Sequence, residues 1–396
     1  MKITKIDVIA VDVEDNPKGW HPIVCRVYTD EGIYGDGESA MAYGIGAKAA
    51  HGMLLDLAPL IIGMNPFDTE VIWEKLYKST FWAQNGGSVI FSAIAALDIA
   101  LWDIKGKALK MPIYALLGGK MRDKLRTYAS QLQFGWGENR EIAASIEDYV
   151  KYAKIAVAQG YDAIKIDFFT FDETGRRLTS EDTTRLLAPK YKNMVVNRVA
   201  AVRDAIGADV DIIMENHSYI DAQVAVQLGR LVEKYDIFLF EEPCTPTPKT
   251  NKFIHDHINI PIAQGERIYS RWGFAPYFEN GSIQMIQPDI GNCGGITEAK
   301  KICDMAHLYD VGVQAHVCAS PLSTAVALQL EAAIPNFTIH EHHVYNLHDY
   351  NKRLCIHDYQ PEKGMYTVPD LPGIGNEFSE FVFKKGVITT LSLIHI

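Results

Sequence analysis

A chain of 396 residues, 48% of them hydrophobic and 22% charged, is long enough for one large core or two domains. Its net charge of −11 and the lack of any basic cluster argue against nucleic acid as a partner, and leave an anionic substrate to be captured by local cations. Six scattered cysteines without a CxxC pair argue against a disulfide framework or thiolate zinc site and point to reduced thiols in a cytoplasmic protein.

The first residues, MKITKIDVIAVDV, alternate polar and apolar like a strand and lack the continuous apolar core of a signal peptide. PIVCRVYTDEGIYGDGES reads as two strands around a turn at Asp30, Glu31 and Gly32. Helical stretches are expected near 46–62 and 68–78, then one long helix from about Ser88 to Leu109. That helix carries Asp98 and Asp103 inside an otherwise apolar run, so it reads as a buried globular helix and not a membrane span. MPIYALLGG closes the section with a short helix and a glycine stop. Residues 1–124 therefore form an α+β unit of their own.

From Leu125 the pattern becomes regular. Short apolar runs (AIKID, DIIME, IFLFEE, PIAQGE, MIQPD, GVQAH, FTIHE) alternate with helical segments, as parallel βαβ units require. The runs close on Glu215, Glu241, Glu266, Asp289, His316 and Glu341, at intervals of 26, 25, 23, 27 and 25 residues. Each interval fits one strand, one helix and two loops. Lys165 precedes Glu215 by 50 residues, and a polar insertion at roughly 170–192 accounts for the excess. In a (β/α)8-type barrel, the C-terminal strand ends meet at one mouth, where active sites sit. Residues 125–355 are read as that barrel, with the ionisable groups as neighbours.

Three carboxylates (Glu215, Glu241 and Glu266) on consecutive strands about 4.8 Å apart would repel unless a cation lay between them. Oxygen ligands without thiols suit Mg²⁺. His316 beside Asp289 fits a base whose tautomer is fixed by a carboxylate. Lys165 is placed to neutralise a substrate carboxylate or to act as a base. Metal, base and cation together suit removal of a proton next to a carboxylate, because the enediolate formed is dianionic.

At these residues the chain resembles the mandelate racemase subgroup of the enolase superfamily. LDIALWDIKGKALKMPIYALLGG, LFEEP, PIAQGERIYSRWGF, QPDIGNCGGITEAKKI and AHVCASPLS carry the resemblance, which runs nearly end to end. It is strongest to acid-sugar dehydratases of the galactonate type. It implies a modified TIM barrel under an N-terminal capping domain, with residues 356–396, including MYTVPDLPGIGNEF, returning to the cap. It implies Mg²⁺ on Glu215, Glu241 and Glu266, a His316–Asp289 base dyad, and Glu341 against the substrate. His217, two residues after the first ligand, would protonate a departing hydroxyl, or serve only as a hydrogen-bonding neighbour. A homo-oligomer is also implied.

Two positions depart from the pattern. The family's Lys-x-Lys is Lys165-Ile166-Asp167 here, which disfavours a two-base racemase and leaves Asp167, a candidate substrate contact, without an assigned role. The first metal ligand is Glu215 where many relatives carry Asp. The reading is a Mg²⁺-dependent dehydratase of a sugar acid, an aldonate such as galactonate, gluconate or mannonate, giving a 2-keto-3-deoxy acid. An epimerase or cycloisomerase would share its first step, and a homologue kept for binding or regulation is a third reading. Stereochemistry is expected to be read by cap loops at 16–22 and 41–44 and by Arg267 and Trp272.

Overall fold

The computed structural model describes residues 1–12, 19–84, 86–138 and 140–393. The chain opens with three antiparallel strands, β1 (Ile3–Val11), β2 (Ile23–Thr29) and β3 (Tyr34–Ser39). The helix Ser88–Leu109 lies on this sheet and is buried along most of its length. Gly35 and Gly37 permit that approach: a Cβ on either would come within 2.0 or 1.8 Å of the Ala100 or Ala96 carbonyl oxygen.

Eight parallel strands follow: β4 (Lys124–Ser130), β5 (Ala163–Ile166), β6 (Asp211–Glu215), β7 (Ile237–Glu241), β8 (Ile262–Gln264), β9 (Met285–Ile286), β10 (Gly312–Val313) and β11 (His340–His343). They neighbour one another in chain order from β4 to β10, and β11 returns to pair with β4. A parallel bridge from Val313 to Phe337, just before β11, joins the remaining two edges. The sheet curls into the barrel that the 23–27-residue repeat predicts.

Two later strands tie the chain end back: β12 (Met365–Thr367) pairs antiparallel with β4, and β13 (Gly386–Ser392) pairs antiparallel with β1. The cap sheet thus has the order β13-β1-β2-β3. Buried carboxylates lock cap to barrel. Asp98 accepts from the Thr297 amide (2.9 Å) and hydroxyl (2.5 Å), at the start of the barrel helix Gly295–Leu308. Glu38 on β3 accepts from the hydroxyl (2.5 Å) and amide (3.2 Å) of Ser320, the residue capping helix Pro321–Ala333. Among the described residues no helix is long and apolar enough to cross a membrane.

Candidate active site

The strand tips place the ionisable side chains. Glu215 and Glu241 end β6 and β7 as register partners, so both turn toward the barrel interior. Beyond them the strands stay paired, with the Asn216 amide donating to Glu241 O (3.3 Å) and the Ser218 amide to Glu242 O (3.0 Å). His217 and Ser218 have φ of +46° and +58°, and Glu242 +44°. A left-handed backbone costs an L-residue about 1–2 kcal/mol, and it turns these side chains at the mouth. Gly265 serves the next strand: a Cβ there would lie 2.3 Å from the Gln287 backbone, so only glycine lets β8 hand Glu266 into the mouth.

Two histidine–carboxylate pairs face a group of acidic side chains. His316 Nδ1 lies 2.7 Å from Asp289, and its Nε2 lies 3.3 Å from Glu266. His217 repeats the arrangement, with Nδ1 2.8 Å from Asp167 and Nε2 3.3 Å from Glu215. Burial opposes the charge on His217, but Glu215 and Asp167 outweigh it and raise its pKa to about 9. Burial likewise opposes charge on His316, and Glu266 with Asp289 raises it to about 10.

Lys165 lies beneath the mouth. Its ammonium contacts Glu241 (2.5 Å), Glu341 (2.8 Å) and Glu215 (3.4 Å), with the Tyr128 ring centroid 5.4 Å away. Burial works against this charge, yet the three carboxylates hold its pKa well above the ordinary lysine value. Glu341 also accepts from the Ser130 hydroxyl (2.6 Å) and the Val317 amide (2.9 Å). Neither Lys165 nor Glu341 lines the cavity above them.

That cavity has a volume of about 190 Å³ and brings His217, His316, Glu266 and Arg267 together with Gln131, Arg177 and His343. It is smaller than typical drug-sized sites, and its size suits a small polar acid. The cap contributes Tyr43 from the expected 41–44 region and Ala40 just before it. Of the other expected loop, residues 16–18 lie outside the described residues, while Trp20 is buried with its ring 4.8 Å from that of Tyr345. Arg267 pairs with Glu242 and, at 2.5 Å, with Glu266. Trp272 does not join this group. It stacks on Tyr77 of the cap, centroids 4.9 Å apart, beneath the Arg271 guanidinium.

The donor set fits a hard divalent cation. Ligand atoms of Glu215, Glu242 and Glu266 lie within 4.8 Å of one another. The expected middle member was Glu241, which here shares Lys165. Glu215 Oε1, Glu241 Oε2 and Glu242 Oε1 are buried without a hydrogen bond. Burial pushes Glu241 up to about 8, Lys165 pulling it down and Glu215 and Glu341 adding to the rise. Such a group is short of positive charge.

Sequence reasoning passed over Gln131, Arg177 and His343. Gln131, just after β4, donates to Glu215 at 2.6 Å and lies 3.1 Å from His217 Nε2. It is uncharged, so a search for ionisable strand ends misses it. His343 follows Glu341 by two residues on one strand and so shares its face. That signal was present in HEHH.

Residues 20–118 match the N-terminal domain model of mandelate racemase/muconate lactonizing enzymes, and residues 148–382 match the enolase C-terminal domain-like model. The chain belongs to the mandelate racemase/muconate lactonizing enzyme family of the enolase superfamily. It is 33% identical over 389 residues to a D-galactonate dehydratase of Ralstonia pickettii, covering 96% of this chain and 93% of that one. The D-galactonate dehydratase of Pectobacterium atrosepticum is 33% identical over 388 residues, with the same coverage. Among solved structures, an enolase-superfamily member from Salmonella Typhimurium superposes with a TM-score of 0.96 at 51% identity, covering 99% of this chain and 100% of that one.

Proposed function

We propose that the protein is a Mg²⁺-dependent hydro-lyase that converts a sugar acid to a 2-keto-3-deoxy acid. The observation that carries this is the pair of histidine–carboxylate dyads, His316–Asp289 and His217–Asp167, aimed at one acidic cluster. The D-galactonate dehydratase relatives support the substrate class and the reaction. Glu215 and Glu266 would hold the ion, with Glu241 as third ligand. Glu242 is the rival, but its charge is already met by Arg267, whereas Glu241, Glu215 and Glu341 share one ammonium. When bound, the ion supplies the positive charge that a dianionic enediolate needs.

His316 Nε2 takes the proton from the carbon next to the carboxylate, and the C–H electrons pass into the enediolate. Those electrons then expel the β-hydroxyl as its C–O bond breaks. His217, protonated and held by Asp167, gives its Nε2 proton to that oxygen, so water leaves. The enol tautomerises to the keto acid. Lys165 acts through the carboxylates it gathers and not by touching substrate. A cation on Glu266 would cancel the field that most raises His316, freeing it to act as a base.

One feature of the same geometry suits a second reading. Two imidazoles at the cluster could each exchange an α-proton, which would make an epimerase. ¹H NMR of acid sugars in deuterated buffer with Mg²⁺ separates the two. Keto-acid product supports the dehydratase; α-deuteration with inverted configuration and no keto acid replaces it with the epimerase.

A further inference from the structure

The insertion after β5 treats two adjacent arginines differently. Arg176 holds the insertion together, pairing with Asp172 and Asp182 at 2.9 Å each, while the Tyr191 hydroxyl donates to Asp182 at 2.6 Å. Arg177 forms a bridge with Phe171 across the turn at Gly175, an extended position whose side chain faces opposite to that of Arg176. It lines the same cavity as His217, His316 and Glu266. Among the described residues it has no hydrogen bond or ion pair, and its guanidinium lies 5.7 Å from the Tyr219 ring centroid.

The other cations at the mouth are committed. Lys165 serves three carboxylates, Arg267 serves Glu242 and Glu266, and His217 and His316 each have a carboxylate. A guanidinium left unpaired at an active-site cavity is a ready fork for a carboxylate. On the proposed dehydration, the reacting carboxylate must sit at the acidic cluster, with its α-carbon at His316. The anion that meets Arg177 is therefore a second one, at the far end of the substrate.

We infer that Arg177 binds a second terminal carboxylate, and that the preferred substrate is a dicarboxylic sugar acid (an aldarate) over the corresponding aldonate. This rests on the proposed dehydratase reading for its chemistry, but its binding consequence stands apart from turnover. The residue lies on the insertion, outside the strand tips that hold the catalytic groups, so its removal should change selection without changing chemistry.

The test compares galactarate with galactonate, and glucarate with gluconate, on the Mg²⁺-loaded enzyme and on Arg177→Met. The wild type should favour at least one aldarate over its aldonate. Arg177→Met should raise KM for that aldarate ~10- to 100-fold, as expected for a lost charge-assisted bond, with a smaller effect on the aldonate. Arg177→Lys should recover part of the loss. Calorimetric binding of galactarate and galactonate to His316→Asn, with and without Arg177→Met, reads the same preference without catalysis. If no acid sugar is turned over but the aldarate preference in binding vanishes with Arg177, the dehydratase reading fails and this one holds. Equal losses for both acid classes, no aldarate preference, or no binding of either acid would overturn it.

Discussion

His217 Nδ1 lies 2.8 Å from Asp167 Oδ2, joining two residues fifty positions apart in the chain. Asp167 accepts a second bond from the Phe169 amide at 2.8 Å, so its orientation is fixed. It stands where the family's second lysine would be. On the proposed reading Asp167 is the partner of an acid and not a base, which favours loss of a hydroxyl over two-base racemisation.

A pH prediction follows from this pair. An acid must be protonated to act; Glu215 and Asp167 both raise His217 against its burial, and with a cation on Glu215 the share of Asp167 is what remains. Asp167→Asn should remove one of those carboxylates, lower the His217 pKa, and move the alkaline limb of the dehydration profile to lower pH. Product formation at pH 8 should fall ~10- to 100-fold, reaching at most the lower end of the ~10²–10⁴-fold usual for general-acid help. A pH–rate profile with an unmoved alkaline limb would show that Asp167 does not set the protonation of the acid.

The metal prediction distinguishes two adjacent residues. EDTA should abolish activity and Mg²⁺ should restore it. Glu241→Gln should weaken Mg²⁺ binding at least tenfold, because Glu241 is a buried carboxylate pushed up to about 8 with one oxygen unpartnered. Glu242→Gln should weaken it less, since Arg267 already answers its charge. Calorimetric titration of both variants with Mg²⁺ checks this. A larger loss in Glu242→Gln would make the ligand set Glu215, Glu242 and Glu266, the three whose atoms gather most closely.

The barrel and most of its mouth could be read from periodicity, because a strand-helix repeat fixes which residues share one end. Glu215, Glu266, Asp289 and His316 fall together on that logic alone. Depth along the barrel axis could not be read the same way. Lys165 and Glu341 share the phase of the repeat, yet they lie inside their strands and end beneath the cavity. Trp272 is in the first turn of the helix Ser270–Glu279 that follows β8 but is claimed by Tyr77 of the cap, a partner far away in sequence. Arg177 belongs to an insertion without period, so only the folded chain shows it beside His217. Repeats report the end of the barrel; contacts between cap, insertion and mouth depend on tertiary packing.

Cap docking should depend on pH. Burial pushes the Glu38 carboxyl up to about 7; the Ser320 hydroxyl and amide pull it back, and the charge of Asp289 raises it further. The folded state therefore binds a proton that the unfolded chain, titrating near its ordinary value of about 4.3, has already lost. Stability should fall as pH rises from about 4.5 to 7, and the penalty should persist above that. Glu38→Gln keeps an acceptor for Ser320 and removes this titration. Relative to wild type it should gain on the order of 1–3 kcal/mol between pH 5 and pH 8. Apparent urea midpoints of both proteins at the two pH values would show it, and parallel pH dependence would exclude Glu38 as the source.

The last prediction divides work between the histidines. His316 faces Glu266 and His217 faces Glu215, each at 3.3 Å, so both could be credited with either proton. If His316 is the base, His316→Asn should lose α-proton exchange and product together. If His217 is the acid, His217→Asn should lose product ~10²- to 10⁴-fold while substrate recovered from deuterated buffer still carries label at the α-carbon. The reason is that forming the enediolate needs the base and positive charge, whereas expelling hydroxide needs a donor. Metal content must be measured alongside, because His217 adjoins Glu215. Retained Mg²⁺ with lost exchange in His217→Asn would mean that His217 takes the α-proton. Unchanged product would leave it only a hydrogen-bonding neighbour of Glu215 and Gln131, and the dehydratase would then need another acid.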